Sequence, residues 1–538
     1  MARPDPAQAV AGMVLDALRA SGADTVFGLP GVHNLPFWLG TAADPVVVRH
    51  EQTAVYAADG WARTTGRLGA AVVTTGPGAA NAVAAFGEAA AAGSPVVLVA
   101  SEIPQAQRRP GRLRGVLHES RDQAGIFGPL AKAVFTPRTP DEAATAVGAA
   151  VAAALREPRG PVYLDVPADV LGHPAGRAPE LDAPAEPEPA SGALDAAATE
   201  LRAARAVVWT GGGCADHPER VGALAARLGA PVVSTYRGRG CPSTAHPLAV
   251  GLPPHEPEVA ALIASAEVLL AVGGDLDGMN TRNWTMPRPP RLVTLDAAAP
   301  AEPPEWPADA AVAGRLGAAL DGLLRRLPAP DREPWAPDGL RKTVLARLRA
   351  DPATADAVGL LDAVEAARTP ETVLVCDMAV AGYWVGGYAG APAPRRLAYP
   401  VGWGTLGFAL PAAVGAAATG RPVLVVCGDG GLMMGLGELA TLVQQRLPVT
   451  VLVVDDGGYG MLRYDQARAG HPPAGVDLAT PDFPALAAAF GLPATDVGAV
   501  AGLAPALAAA LASGAPHLVR LPARLTPPRT TSPRWHED

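Results

Sequence analysis

Two acidic turns, one strand–helix–strand interval apart, carry the residue types in this sequence best suited to chemistry. Gly428-Asp429-Gly430 comes first, and twenty-four residues later stands Asp455-Asp456-Gly457-Gly458. Apolar runs at 423–427 and 449–454 lead into the two turns. Between them Leu432, Leu436, Leu439, Leu442 and Val443 recur at helical spacing, predicting one helix over 432–446. A helix of that length rises about 22 Å, and six strand residues return about 20 Å. The turns should therefore sit side by side at the carboxyl ends of adjacent parallel strands, where open α/β sheets bind ligands. Paired carboxylates there suit Mg²⁺, which keeps its remaining positions for water and phosphate oxygens. The glycines let backbone N–H groups approach an anion closely. A structural turn is the other reading of Gly-Asp-Gly taken alone, and the lack of Lys-Ser/Thr after it excludes the usual triphosphate loop.

A second set lies far upstream. Arg49-His50-Glu51-Gln52 follows a short apolar run at 46–48 and opens a helix reaching about Thr65. Gly76-Pro77-Gly78-Ala79-Ala80-Asn81 ends a strand at 71–75, again at a helix start. A carboxylate such as Glu51, just past a buried strand, can have a raised pKa and exchange protons. Equally, an acid in the first turn complements the helix macrodipole. Local sequence leaves both readings open.

Three blocks of alternating short apolar strands and Ala/Leu-rich helices must position these groups. That pattern predicts an α/β fold of three doubly wound parallel-sheet domains. Pro-rich, strand-free stretches at 172–191 and 326–339 read as linkers, giving domains at 1–171, 192–327 and 340–522 and a polar, mobile tail at 523–538. The 538 residues are 49% hydrophobic and 18% charged, a globular composition. A net charge of −9 without a dense basic run argues against nucleic-acid binding. No eighteen-residue apolar run is free of polar or turn residues, so no membrane span is expected. Four widely spread cysteines show neither metal nor disulfide spacing and fit a reducing cytoplasm.

Taken together, Phe27-Gly28-Leu29-Pro30-Gly31, Arg49-His50-Glu51-Gln52, Gly76-Pro77-Gly78-Ala79-Ala80-Asn81, the Gly402–Ala416 stretch and the two acidic turns occur in an order that resembles the thiamine diphosphate enzyme superfamily. The resemblance covers essentially the whole chain and is nearest the acetolactate synthase-like branch. It implies that the first domain binds a pyrimidine, that the third binds a diphosphate, and that the coenzyme is thiamine diphosphate with Mg²⁺. Asp429, Asp456 and the carbonyl of Gly458 would hold the metal. Gly428, Gly430, Gly431, Tyr459, Gly460 and Met461 would line the diphosphate side, with Gly76 and Asn81 at the pyrimidine side. The backbone of Gly404 would bond the aminopyrimidine, and Leu406 would wedge the two rings; plain core is its alternative role. Glu51 would come from a partner subunit and bond a pyrimidine nitrogen, which implies at least a homodimer, or a homotetramer. His33, His118 and Glu119 align with loops facing the reacting carbon and are candidates for proton handling or substrate contact, against solvent-facing roles.

The implied substrate is a 2-oxo acid. Transfer of the acyl unit to a second carbonyl ranks first, ahead of simple release as an aldehyde. Leu117-His118-Glu119 with Asp122-Gln123 is similar to relatives that decarboxylate longer 2-oxo acids, including 2-oxoarginine-type decarboxylases. A silent binding homologue is a third class, opposed by the retention of Glu51. In the central domain Gly211-Gly212-Gly213 lacks a full dinucleotide fingerprint, so structural duty is favoured there over FAD. Departures from the family also count. Asp455-Asp456 replaces the usual amide pair and predicts altered metal affinity, since an extra carboxylate repels a diphosphate. Val32 and Leu462 replace acids of pyruvate decarboxylases, and Asp465 stands where acetolactate synthases typically carry Trp.

Overall fold

Long runs of Val, Leu and Ala bounded by glycine form strands buried on both faces, the pattern that parallel sheets require. The computed structural model describes residues 9–39, 45–109, 111–175, 186–202, 204–300, 302–329, 335 and 339–529. Its strands form three sheets, and every strand pair is parallel. The first holds β1 (Val26–Gly28), β2 (Val46–Val47), β3 (Gly69–Val73), β4 (Val96–Glu102), β5 (Ala133–Phe135) and β6 (Val162–Pro167), in the order β2-β1-β3-β4-β6-β5. The central sheet holds β7 (Ala206–Thr210), β8 (Val232–Ser234), β9 (Val268–Val272), β10 (Arg291–Asp296) and β11 (Ala310–Ala313), ordered β11-β10-β9-β7-β8. The third holds β12 (Val373–Cys376), β13 (Leu397–Ala398), β14 (Val423–Gly428), β15 (Val449–Asp455), β16 (Ala494–Asp496) and β17 (His517–Pro522). Its order, β13-β12-β14-β15-β17-β16, repeats the permutation of the first sheet. The expected α/β class with three parallel sheets is what the chain adopts.

The first and third sheets share one hydrophobic core. At its centre the helix Glu51–Thr65 lies on the helix Ala409–Ala417. Backbones touch there: a Cβ at Gly60 would lie 2.0 Å from the Ala412 carbonyl oxygen, and one at Gly415 1.7 Å from that of Ala57. Only glycine permits this approach. The contact fixes how the loops of the first domain face those of the third.

One local expectation is corrected. The helix expected over 432–446 is two, Asp429–Met434 and Glu438–Gln445, broken at Gly435-Leu436-Gly437. A Cβ at Gly435 would fall 2.9 Å from Pro411 Cδ, so close packing on the neighbouring helix selects the breaker. The tail expected from 523 onward is joined to the third sheet at its start: Ala523 N–H donates to the Asp455 carbonyl (3.1 Å), continuing the β15–β17 ladder. Residues 530–538 lie outside the described residues, as do 176–185 of the first expected linker and 330–334 and 336–338 of the second. Among the described residues no helix is long and apolar enough to cross a membrane. All four cysteines are buried free thiols.

Candidate active site

β14 and β15 are neighbours, with Gly428 opposite Val454, so the two acidic turns leave the sheet at adjacent tips. Asp429 is 1% exposed, and neither of its carboxylate oxygens has a hydrogen-bond partner. The same is true of Asp456 Oδ1. Burial raises the Asp429 pKa, and the charge of Asp455 adds to the rise. Burial first and Asp429 second push Asp456 up to about 6, while Arg463 opposes them. Arg463 lies 3.6 Å from Asp456 Oδ1, but among the described residues nothing pairs the buried Asp429, and two acids so close are short of one positive charge. Oxygen-only donors of this kind suit Mg²⁺, so the residues present fit that ion.

Backbone geometry supports the carboxylates. Gly458 sits at φ +147°, and a Cβ there would meet the Val476 carbonyl oxygen at 2.0 Å. A Cβ at Gly460 would collide with Asp456 Oδ2 at 1.9 Å, so glycine makes room for the acid. A cavity of about 220 Å³ opens beside these turns. Gly404, Leu406, Gly428, Asp429, Gly430, Gly431, Asp456, Gly458, Tyr459, Gly460 and Met461 all line it. So do Met378, Tyr383, Ala523 and Leu525, which sequence reasoning did not single out. Met378 follows a strand-end acid that was legible, and Tyr383 lies one turn further on. Ala523 and Leu525 were hidden in a Pro-rich tail whose role depends on long-range bonds, such as Arg524 Nε to the Asp456 carbonyl (3.2 Å) and Trp384 Nε1 to that of Thr526 (2.8 Å).

Gly404 and Leu406 are held in place by Asp377 at the tip of β12. Its buried carboxylate accepts the Gly407 N–H at both oxygens (2.9 and 3.1 Å) and that of Met378 (2.8 Å). Burial pushes this acid up to about 6, although the N–H groups favour its anion.

Asp455 takes a different course. Its Oδ2 accepts both Nε (2.9 Å) and Nη2 (2.7 Å) of Arg520, and it does not line the cavity. The extra carboxylate is thus paired with a guanidinium on β17, although its charge is still felt at Asp429, whose pKa it helps to raise.

The tips of the first sheet gather the second set. His50 Nδ1 accepts the Gln52 N–H, capping the helix that Glu51 opens (3.2 Å). Asn81 Nδ2 donates to Glu51 Oε2 at 3.0 Å. Gly76 N–H donates to the buried Gln123 amide at 2.6 Å, and the His118 backbone covers the Gly76 turn. His118 itself adopts φ +65°, a strained conformation for a side-chain-bearing residue. The His33 and His118 rings meet edge-on with centroids 5.3 Å apart, and both Nδ1 atoms are buried without a hydrogen bond. Burial, then His118, lowers the His33 pKa. Glu119 is engaged locally instead: it accepts the N–H groups of Arg114 (2.7 Å) and Val116 (3.2 Å), which lower its pKa.

Within one chain the two sets are not brought together. No first-domain residue lines the cavity beside Asp429 and Asp456. The Glu51 end of its helix instead abuts the third domain through Arg49 N–H to Glu438 (3.0 Å) and Gln52 Nε2 to the Met434 carbonyl (3.3 Å).

A larger cavity, about 620 Å³, lies where the three domains meet, beside Gly211, Gly273 and Arg237. Asp275, Asp277 and Asp296 also face it. Arg63, Arg159, Arg239 and Arg395 line it as well, so its acids are matched by guanidinium groups, and its size suits a nucleotide.

Comparison with known proteins agrees with this geometry. Residues 8–126 match the thiamine pyrophosphate enzyme N-terminal TPP binding domain, 194–323 the central domain and 377–521 the C-terminal TPP binding domain. The chain is 35% identical to the Pseudomonas aeruginosa protein named "Probable 2-ketoarginine decarboxylase AruI", over 89% of this chain and 88% of that one. It is 31% identical to the acetolactate synthase large subunit of Parasynechococcus marenigrum, over 95% and 86%. Among solved structures it resembles the Rhodococcus jostii RHA1 thiamine diphosphate-dependent 4-hydroxybenzoylformate decarboxylase, with TM-score 0.83, 25% identity and coverage of 96% and 99%. The adjacent acidic tips, the three parallel sheets and these matches lead to one assignment: the chain belongs to the thiamine pyrophosphate-dependent enzyme family.

Proposed function

We propose that this enzyme uses thiamine diphosphate and Mg²⁺ to decarboxylate a 2-oxo acid and release the aldehyde. The observation that carries the reading is the pair of carboxylates at adjacent strand tips beside an otherwise apolar cavity, Asp429 buried without a hydrogen bond and Asp456 half-buried with Arg463 as counter-charge, 3.6 Å from its Oδ1. These two acids and the carbonyl of Gly458 would hold the metal, with Gly428, Gly430 and Gly431 supplying close backbone approach to the diphosphate. When bound, the coenzyme supplies the electron sink for loss of carbon dioxide. Gly404 and Leu406 orient its rings, while Tyr383, Met461 and Leu525 keep water from the reacting end. Glu51 of a second copy would hold a proton at a pyrimidine ring nitrogen, because its own chain keeps it outside the cavity. His33 and His118 would come with it and move protons near the substrate. In this reading the domains at 1–171 and 340–522 bind the two ends of the coenzyme, and the domain at 192–327 is structural.

The decarboxylase relatives favour release over the carboligation that sequence alone ranked first. Carboligation stands as the second reading, supported by the acetolactate synthase relatives at 27–31% identity. Incubation with thiamine diphosphate, Mg²⁺ and pyruvate, a guanidino 2-oxo acid or an aryl 2-oxo acid tests both. Carbon dioxide with a matching aldehyde is the expected outcome. An acyloin product would shift the assignment to carboligation, and no carbon dioxide from any acid would overturn both.

A further inference from the structure

The loop that carries Gly404 and Leu406 into the cavity is also gripped from the first domain. Thr405, between them, turns the other way: its hydroxyl donates to Glu88 Oε2 at 2.9 Å and also meets the Tyr56 hydroxyl. Glu88 is fully buried, and its Oε1 accepts Arg63 Nη2 at 2.9 Å. Arg63 in turn donates Nε to Asp59 Oδ1 (2.8 Å) and Nη1 to the carbonyl of Tyr399 (3.1 Å), and it lies over the Phe408 ring at 4.8 Å. Burial disfavours this guanidinium, but Asp59 and Glu88 more than compensate and hold it charged. Arg63 thus braces the loop just before Gly402 and again at Phe408, Glu88 holds its middle, and Asp377 holds Gly407 from the opposite side.

We propose that Glu88, backed by Arg63, is a positioning residue that sets where Gly404 and Leu406 stand in the cavity. Stability alone does not call for this set, because apolar side chains of similar volume would serve as well or better than buried ions. Fixed direction is what a charge-assisted bond to one hydroxyl adds. A cavity wall whose two functional positions flank that hydroxyl is where direction counts, since small misplacements of an orienting group reduce rates steeply. The network joins residues 317 apart in sequence, from the helix Val83–Ala91 to the loop before the helix Ala409–Ala417.

The inference rests on the thiamine diphosphate reading, which places the rings at Gly404 and Leu406 and the diphosphate at Asp429 and Asp456. The test is calorimetric binding of two ligands, each with Mg²⁺: thiamine diphosphate and inorganic pyrophosphate. Thr405→Val should weaken thiamine diphosphate about tenfold, the loss expected for one charge-assisted hydrogen bond. Pyrophosphate affinity should stay within about twofold, a change too small to count as a lost contact. Thr405→Ser, which restores the hydroxyl, should return thiamine diphosphate affinity to wild type. Glu88→Gln, which keeps the shape and removes the charge, should show the same split between ligands. Equal weakening of both ligands, no weakening of either, or failure of Thr405→Ser to rescue would each overturn the positioning role. Wild-type protein that binds pyrophosphate but not thiamine diphosphate would overturn the coenzyme reading itself, and the positioning role with it.

Discussion

The first and third sheets share one strand order and both gather loops at their carboxyl ends, yet the tips differ in what they lack. At the first sheet Asn81 serves Glu51 and Gln123 serves Gly76, and the buried atoms left without a hydrogen bond include ring nitrogens of His33 and His118. At the third sheet three carboxylate oxygens of Asp429 and Asp456 lack a hydrogen bond, with Arg463 near one of them. One topology therefore carries two chemistries, and the side chains at the turns, not the fold, decide which. In the proposed reading the third sheet takes up a cation and an anion together. The first would then offer its proton-handling groups to a cavity formed elsewhere.

Removing the metal-binding character of the third sheet should have the largest effect. Asp429→Ala is expected to weaken Mg²⁺-dependent thiamine diphosphate binding by at least about 100-fold, beyond the loss seen for groups that merely support a ligand. Titration calorimetry with and without Mg²⁺ measures it. Binding that is equally tight in the variant, or indifferent to metal in both proteins, would erase the distinction between the two sheets. Glu51→Gln probes the opposite side. Coenzyme affinity should change by less than about threefold, whereas turnover should fall about 10²–10⁴-fold, the range for a lost acid–base group. A stopped assay for carbon dioxide, with coenzyme at saturation, separates the two.

The first sheet also buries a proton. Asp165 on β6 is 1% exposed with Oδ1 unpartnered, and burial, then Glu102, push it up to about 8 against the pull of Arg138 and Arg108. For an acid whose folded pKa exceeds its unfolded value of 3.8, the folded state binds the proton more tightly. Its favourable contribution is therefore present at low pH and is lost as pH rises from about 4 to about 8. Asp165→Asn should leave stability nearly unchanged below about pH 4 and raise it relative to wild type by an amount that grows with pH, to a few kcal/mol at most at about pH 8. Melting temperatures across that range decide. A difference that shrinks with rising pH would mean that the carboxylate is ionised in the folded protein.

Much of this contrast could be read from sequence, and what could not shares a cause. The interval between Asp429 and Asp456 fixes their adjacency because a single strand–helix–strand unit spans it. Glu51 was legible as a helix start for the same local reason. The break at Gly435 was not, since apolar spacing continues across it and the reason for it is Pro411 on another helix. Nor was the role of Ala523 and Leu525, because a Pro-rich composition reads as a tail until β15 is seen to pair with it. Thr405 and Glu88 likewise meet only through the packing of one domain on the other. Local chemistry was visible, and the partners that hold it were not.

The smallest effect should come from Asp455, the residue whose identity first raised doubt about the metal site. From sequence, two adjacent acids threaten to over-charge a diphosphate site. In the structure the alternation of the strand end sends the two side chains apart, Asp456 to the cavity and Asp455 to Arg520. Arg520 also pairs with Asp496 (3.0 Å), so it keeps one anion if the other is removed. Asp455→Asn should therefore change coenzyme affinity by less than about twofold and cost about 1 kcal/mol of stability, as for a partly exposed ion pair. Asp456→Asn tested beside it sharpens the point, since it should alter the Mg²⁺ concentration needed for half-saturation while Asp455→Asn does not. If Asp455→Asn shifts that concentration as much as Asp456→Asn does, the guanidinium on β17 fails to screen it, and both acids belong to the metal site.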